Sequence, residues 1–142
     1  MVETFSNAGQ VPDESQETET VTFRAIGHVE NDFDGPSTSG SRSSESRLVL
    51  EPDLTQGLEG LEAGQRIMVI FHLHRSQGFD LLQHPRGDRS RPRRGVFTLR
   101  SPRRPNPIGI TVVDLVAVEG NVLRVKGLDA FNGTPVLDLK PA

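Results

Sequence analysis

Three arginines and three prolines fall within RSPRRPNP, residues 100–107, and the apolar run IGITVVDL follows at once. Arginine offers a planar fork of donors that suits carboxylates and phosphates. Proline removes backbone freedom, so such a segment holds its cations partly in place before any ligand arrives. The wider stretch 86–104 carries eight arginines (Arg86, Arg89, Arg91, Arg93, Arg94, Arg100, Arg103 and Arg104) against one acid, Asp88. Charge of that density indicates an anion or nucleic-acid surface. The plainer alternative is a solvated loop whose arginines only aid solubility.

Two other groupings carry chemical content. In LDAFNGTPVLDLKP, residues 128–141, Asp129, Asn132, Thr134 and Asp138 surround an Asn-Gly-Thr-Pro turn in which Gly133 can take a positive φ. Taken alone this is a hairpin turn; a ligand role requires it to lie beside the basic segment. His72 and His74, two apart in a strand-like run, would share a face and could ligate a metal. The other histidines, His28 and His84, are distant in sequence and no acid stands at ligand spacing, so hydrogen-bonded strand histidines are expected and no metal site.

Several short strands must position these groups. VTFRAIGHVE (21–30) alternates apolar and polar residues and reads as a first strand with a bulge at Gly27. RLVLEPDL (47–54) is a strand stopped by Pro52. Leu54, Leu58 and Leu61 have helical spacing, weakened by internal glycines to one or two turns. RIMVIFHLHRS (66–76) has the continuous apolar middle of a buried strand. Residues 77–95 read as loop and GVFTLRS (95–101) as a strand. IGITVVDLVAVEG and NVLRVKGLDA form a hairpin across Gly120-Asn121, and TPVLDLKPA is a last strand. Six or seven strands, minor helix and no βαβ alternation predict a mainly β domain, a single small barrel over 21–142. Residues 1–20 are polar, acidic and without periodicity, as in a disordered tail.

Composition excludes several classes. The 142 residues contain no cysteine, so neither a disulfide framework nor a thiolate site exists. No stretch approaches the roughly 20 apolar residues of a membrane span, and the acidic N-terminus lacks the apolar core of a secretory signal; a cytoplasmic protein is expected. Neither GxGxxG, nor a P-loop, nor GxSxG occurs. The net charge of −3 conceals an asymmetry. Residues 1–34 hold eight acids against Arg24 alone, whereas half of the 16 bases lie within 86–104. Tryptophan and tyrosine are absent, so base stacking would fall to Phe or Arg.

RGVFTLRSPRRPNPIGITVVDL followed by VLRVKGLDAFNGTPVLDLKP resembles the TsaA-like family that includes the bacterial TrmO enzymes, with FRAIGHVEN and FHLHR similar to its first and central strands. The likeness covers about residues 22–141 and corresponds to the family's short form. It implies a small β-barrel unlike the Rossmann methyltransferases, assembled as a homodimer. The implied activity is transfer of methyl from S-adenosylmethionine to N6 of threonylcarbamoyladenosine, adenine 37 beside the anticodon of tRNA, a threonine-type anticodon stem-loop. By position, the cofactor would meet His74, Arg75, Arg100, Ile110, Asp129, Asn132, Gly133 and Thr134. Arg86, Arg89, Arg91, Arg93, Arg94, Arg103 and Arg104 would meet tRNA phosphates. Asn106 is the catalytic candidate: its side-chain carbonyl could orient the target amino group, or it could cap a turn between two prolines.

Three positions depart from the family pattern. Asn132 replaces an acid, GPSTSGSRSSES replaces a Pro-Arg-Gln element with only Arg42 as a stand-in, and the KP motif is followed by Ala142. The alternative readings are a non-catalytic RNA-binding or cofactor-sensing barrel, and a methyltransferase on a different substrate.

Overall fold

The computed structural model describes residues 18–32 and 44–142. Residues 1–17 of the expected tail, and the part of the Ser-rich segment that holds Arg42, lie outside the described residues. Eight strands follow in chain order: β1 (Gly27–Glu30), β2 (Glu45–Leu50), β3 (Arg66–His72), β4 (Leu82–Gln83), β5 (Arg94–Gly95), β6 (Ile108–Glu119), β7 (Val122–Lys126) and β8 (Pro135–Pro141). Six of them close an antiparallel barrel in the order β1-β2-β7-β6-β3-β8, with β8 returning to β1. The two-residue strands β4 and β5 pair separately.

Period-two patterning builds the barrel. Ile67, Val69 and Phe71 of β3 point inward, and Met68 and Ile70 lie half-buried on the other face. Val29, Leu48, Leu123, Val125 and Val136 join Val69 with no exposed surface. Each such side chain contributes about 1.5–3 kcal/mol relative to exposure. The twelve residues of β6 serve two neighbours, β3 along Ile108–Asp114 and β7 along Asp114–Glu119. Gly120-Asn121 joins β6 to β7, with Gly120 at φ 63°.

Two glycines are required by close approach. A Cβ on Gly27 would meet the Leu50 Cα at 2.8 Å, and one on Gly109 would meet the Phe71 ring at 2.6 Å. Gly109 stands opposite Phe71 in the β3–β6 register, so the aromatic ring occupies the space a side chain would fill.

Three local expectations need correction, and a fourth, the helical turns at Leu54 and Leu58, is met in 3-10 form. Residues 21–25 are exposed and outside the strand, because the ladder with β2 begins only at Gly27. The register slips occur not at Gly27 but at Val116 in β6 and Leu137 in β8. The leucines at 54 and 58 lie in a 3-10 segment, Pro52–Leu58, whose Leu58 packs into the core. GVFTLRS forms a 3-10 turn, Val96–Thr98, instead of a strand. Its ladder partner β4 starts only at Leu82; past the Val96 N–H to Leu81 O bond at 2.8 Å, the segment closes on itself through Leu99 N–H to Val96 O at 3.1 Å. No helix among the described residues is long and apolar enough to cross a membrane.

Candidate functional site

Two cavities adjoin at Pro102, the smaller where β3 ends and β8 begins and the larger within the 83–102 segment. The smaller, about 270 Å³, is bounded by Phe71, His74, Arg75, Asp129, Phe131 and Thr134. The larger, about 620 Å³, is walled by Arg86, Arg91, Arg94 and Arg100. Pro102 of the proline-rich segment borders both.

Backbone bonds assemble the smaller cavity. Thr134 N–H donates to Phe131 O at 3.1 Å, Gly133 N–H to Val29 O at 2.7 Å, and Val29 N–H to Thr134 O at 2.9 Å, which pins the Asn-Gly-Thr-Pro turn to β1. Gly133 takes φ 86°, the left-handed conformation that the turn requires. Behind the turn Asn31 acts as a tie. Its N–H donates to Asn132 Oδ1 at 3.0 Å, and its side-chain amide donates to Ser46 Oγ at 2.9 Å and Ala130 O at 3.0 Å. Asn132 therefore uses its side-chain oxygen within the protein.

The cavity lining is polar on one side and aromatic on the other. Thr134 is buried, and its hydroxyl lies 3.4 Å from His74 Nδ1. His74 sits at the mouth with part of its ring open. Partial desolvation, reinforced by the charge of Arg75, holds its pKa below the ordinary imidazole value, so the ring is neutral at pH 7. The Arg75 guanidinium stacks over the Phe131 ring, 4.3 Å from its centroid. Asp129 accepts from Thr111 Oγ1 at 2.8 Å and keeps an exposed carboxylate.

The larger cavity is formed by a tightly turned loop. His84 Nδ1 lies 2.7 Å from the Arg91 carbonyl, which makes Nδ1 the protonated nitrogen. The Asp88 carboxylate accepts from the Ser90 N–H and hydroxyl, bonds that hold its pKa below the usual carboxylate range. Arg86 adopts φ 55°, in the left-handed region that costs a branched or long residue strain. Adjacent Gly87, at φ 71°, completes the reversal.

The expected site residues thus divide. His74, Arg75, Asp129 and Thr134 meet in one cavity, with Asn132 and Gly133 forming the turn behind it. Arg100 lies in the wall of the neighbouring cavity, and Ile110 faces outward from β6, 41% exposed. Arg89 and Arg93 are exposed and border neither cavity. Arg103 and Arg104 are structural ties. Arg103 pairs with Asp80 at 3.2 Å and donates to Gln77 O at 2.8 Å. Arg104 donates to Leu99 O at 2.9 Å and Ser101 O at 3.1 Å. Asn106 is exposed, and its main-chain carbonyl accepts from Ile108 N–H at 2.7 Å.

Phe71, Asn31 and Phe131 escaped the sequence reading. Each stands in a segment that carried the family likeness, but nothing in its residue type marked it. The two-apart histidines do not act as a pair: β3 ends at His72, and the chain turns so that His74 N–H donates to His72 O at 2.8 Å. Among the described residues no group of three or more His, Cys, Asp or Glu side chains is placed to hold a metal ion.

An S-adenosyl-L-methionine-binding protein of Archaeoglobus fulgidus is 36% identical over 122 residues, 83% of this chain and 86% of that protein. A tRNA (adenine(37)-N6)-methyltransferase of Rattus norvegicus is 34% identical over 137 residues, 88% of this chain and 31% of that one. The crystal structure of TrmO from Pseudomonas aeruginosa superposes with a TM-score of 0.70 at 30% identity, covering 87% of this chain and 56% of that chain. The present chain therefore spans about half the length of that enzyme. Residues 27–142, the whole closed barrel with both cavities, match the tRNA-methyltransferase O N-terminal domain, and the chain belongs to that family.

Proposed function

We propose that this barrel is an S-adenosylmethionine-dependent tRNA methyltransferase acting on N6 of the adenine at position 37. The observation that carries the reading is the meeting of His74, Arg75, Asp129 and Thr134 in one cavity that shares Pro102 with an arginine-walled one. A nucleoside-sized donor and a polyanionic acceptor would thereby sit side by side.

The donor set suits the cofactor. Arg75 can pair with an amino-acid carboxylate, the Asp129 carboxylate can accept from ribose hydroxyls or an ammonium, and Phe131 and Phe71 present flat apolar surface. The smaller cavity, about 270 Å³, lies just below the roughly 300–1,000 Å³ usual for small-ligand sites. When bound, S-adenosylmethionine supplies an electrophilic methyl group. The protein's contribution is alignment and electrostatics. Neutral His74 adds no positive charge beside a sulfonium, and the Thr134 hydroxyl holds its ring in place.

On the acceptor side, Arg86, Arg91, Arg94 and Arg100 would engage phosphates, with Arg89 and Arg93 outside them on the same exposed loop. The exposed Asn106 amide is proposed to accept from the adenine amino group. Threonylcarbamoyladenosine is the proposed form of that base, a cytoplasmic tRNA the proposed carrier, and a homodimer the proposed assembly. The outward isoleucines Ile108 and Ile110, each 41% exposed and beside half-buried Ile70 on β3, support a face covered by a second copy.

Transfer of labelled methyl to tRNA from cells lacking this protein, followed by nucleoside analysis, tests the reading. Methylated threonylcarbamoyladenosine is the expected product. Cofactor binding without transfer would favour a sensing barrel. Transfer to a partner other than RNA would favour a different substrate.

A further inference from the structure

Phe97 is 75% exposed, the most exposed of the large apolar side chains among the described residues, and it stands in the middle of the arginine-rich segment. Nothing in the two cavities uses it, yet its backbone is held firmly. Val96, the residue before it, is 1% exposed and anchors the turn. Val96 N–H donates to Leu81 O at 2.8 Å, Leu99 N–H to Val96 O at 3.1 Å, and Thr98 Oγ1 to Gly95 O at 2.7 Å. Leu82 pairs with Gly95, so the β4–β5 hairpin brings exposed Leu81 and Leu82 to the same corner.

The neighbours on both sides of Phe97 give the corner its chemistry. Arg94 precedes it and Arg100 follows it, and both wall the larger cavity, as do Thr98 and Leu99. A rigid turn that presents an aromatic ring to solvent at the rim of a cationic cavity matches the repeat of a single-stranded nucleic acid, a flat base next to a phosphate. A duplex offers no base face, so the fitting ligand is an unpaired loop. A protein partner would more readily be met by mixed charge, whereas the one acid of the segment, Asp88, is engaged by Ser90.

We infer that Phe97 is a base-stacking platform that receives an unpaired nucleobase of the RNA while Arg94 and Arg100 hold its phosphate. This deepens the RNA reading above and rests on it.

The chain has no Trp or Tyr, so Phe97→Trp installs its only indole. The indole emission is followed during titration with an anticodon-type stem–loop RNA and, separately, with a fully paired RNA of equal length. The expected result is strong quenching by the stem–loop alone. Phe97→Ala and Phe97→Leu are expected to lose roughly 5- to 150-fold in stem–loop affinity, with an unchanged slope against salt and unchanged cofactor affinity. Phe97→Trp is expected to retain binding. Unchanged affinity in Phe97→Ala, with no quenching while the RNA is bound, would overturn the platform and leave the RNA reading standing. Equal quenching by the duplex would overturn stacking. Emission that follows protein concentration without RNA would assign Phe97 to an interface between copies and overturn the proposal. Absence of RNA binding by the unmodified protein at low salt would overturn both readings.

Discussion

The buried hydroxyl of Thr134 lies 3.4 Å from Nδ1 of His74, joining the start of β8 to the turn that leaves β3. Partial burial of the ring, reinforced by the charges of Arg75 and His72, lowers the pKa of His74. The folded ring titrates below the ordinary value of 6.5, so between that lowered midpoint and 6.5 the unfolded chain binds more protons than the folded one. Stability attributable to His74 is therefore complete above pH 6.5 and falls as pH drops toward the lowered midpoint. An NMR titration should give a His74 midpoint below 6.5. The thermal midpoint of the native protein should drop more between pH 7.5 and 5.5 than that of His74→Gln. Equal drops in the two proteins would count against the linkage.

Arg75 is the cation over the smaller cavity, stacked on Phe131. Arg75→Ala should weaken S-adenosylmethionine binding by about 1.5–3 kcal/mol, the range for a hydrogen bond to a charged group. Arg75→Lys keeps the charge but loses the planar stack, and should recover only part of the affinity. Calorimetric titration reads both, and a lysine variant equal to the native protein would remove stacking from the account.

Gly109 and Phe71 share one space. In Gly109→Ala the new methyl would stand 2.6 Å and 2.7 Å from two carbons of a ring that is 4% exposed, so the core has to shift. Overpacking of this kind costs about 1–3 kcal/mol, and the thermal midpoint should fall by several degrees. Gly57→Ala is the matched control, because a Cβ there meets nothing within 4 Å and needs no positive φ. A control that falls equally would show that glycine replacement itself, not the ring, is responsible.

Arginines of the basic segment should separate into two classes. Arg94→Ala should weaken RNA binding and reduce the slope of log affinity against log salt by about 1. Arg103→Ala instead removes the tie to Asp80 and Gln77, and should lower stability while leaving the salt slope almost intact. Binding measured across a salt series, beside thermal melts, distinguishes them. Identical behaviour would show that both are phosphate ligands.

Much of the barrel was legible because buried strands carry apolar runs and tight turns carry glycine. The continuous apolar run at 67–71 announces β3, and Gly120-Asn121 announces the β6–β7 turn. The reading failed where local pattern had no partner. Val96-Phe97 alternates like a strand, but the ladder beside it stops after two residues. In the same way the histidine pair assumed an extension of β3 that ends at His72.

By itself the sequence determined the fold class, the family likeness and the residue types gathered for anion and cofactor chemistry, because these follow from patterning and from side-chain chemistry carried at fixed positions along the chain. Only the tertiary structure decided which of those residues meet. Thr134 and His74 are 60 residues apart and become neighbours because β8 pairs with β3. Arg100 and Arg103, three residues apart, part company because one faces a cavity and the other is bound to Asp80. Strand pairing and hydrogen-bond closure depend on groups far away along the chain, so no local window of residues contains them.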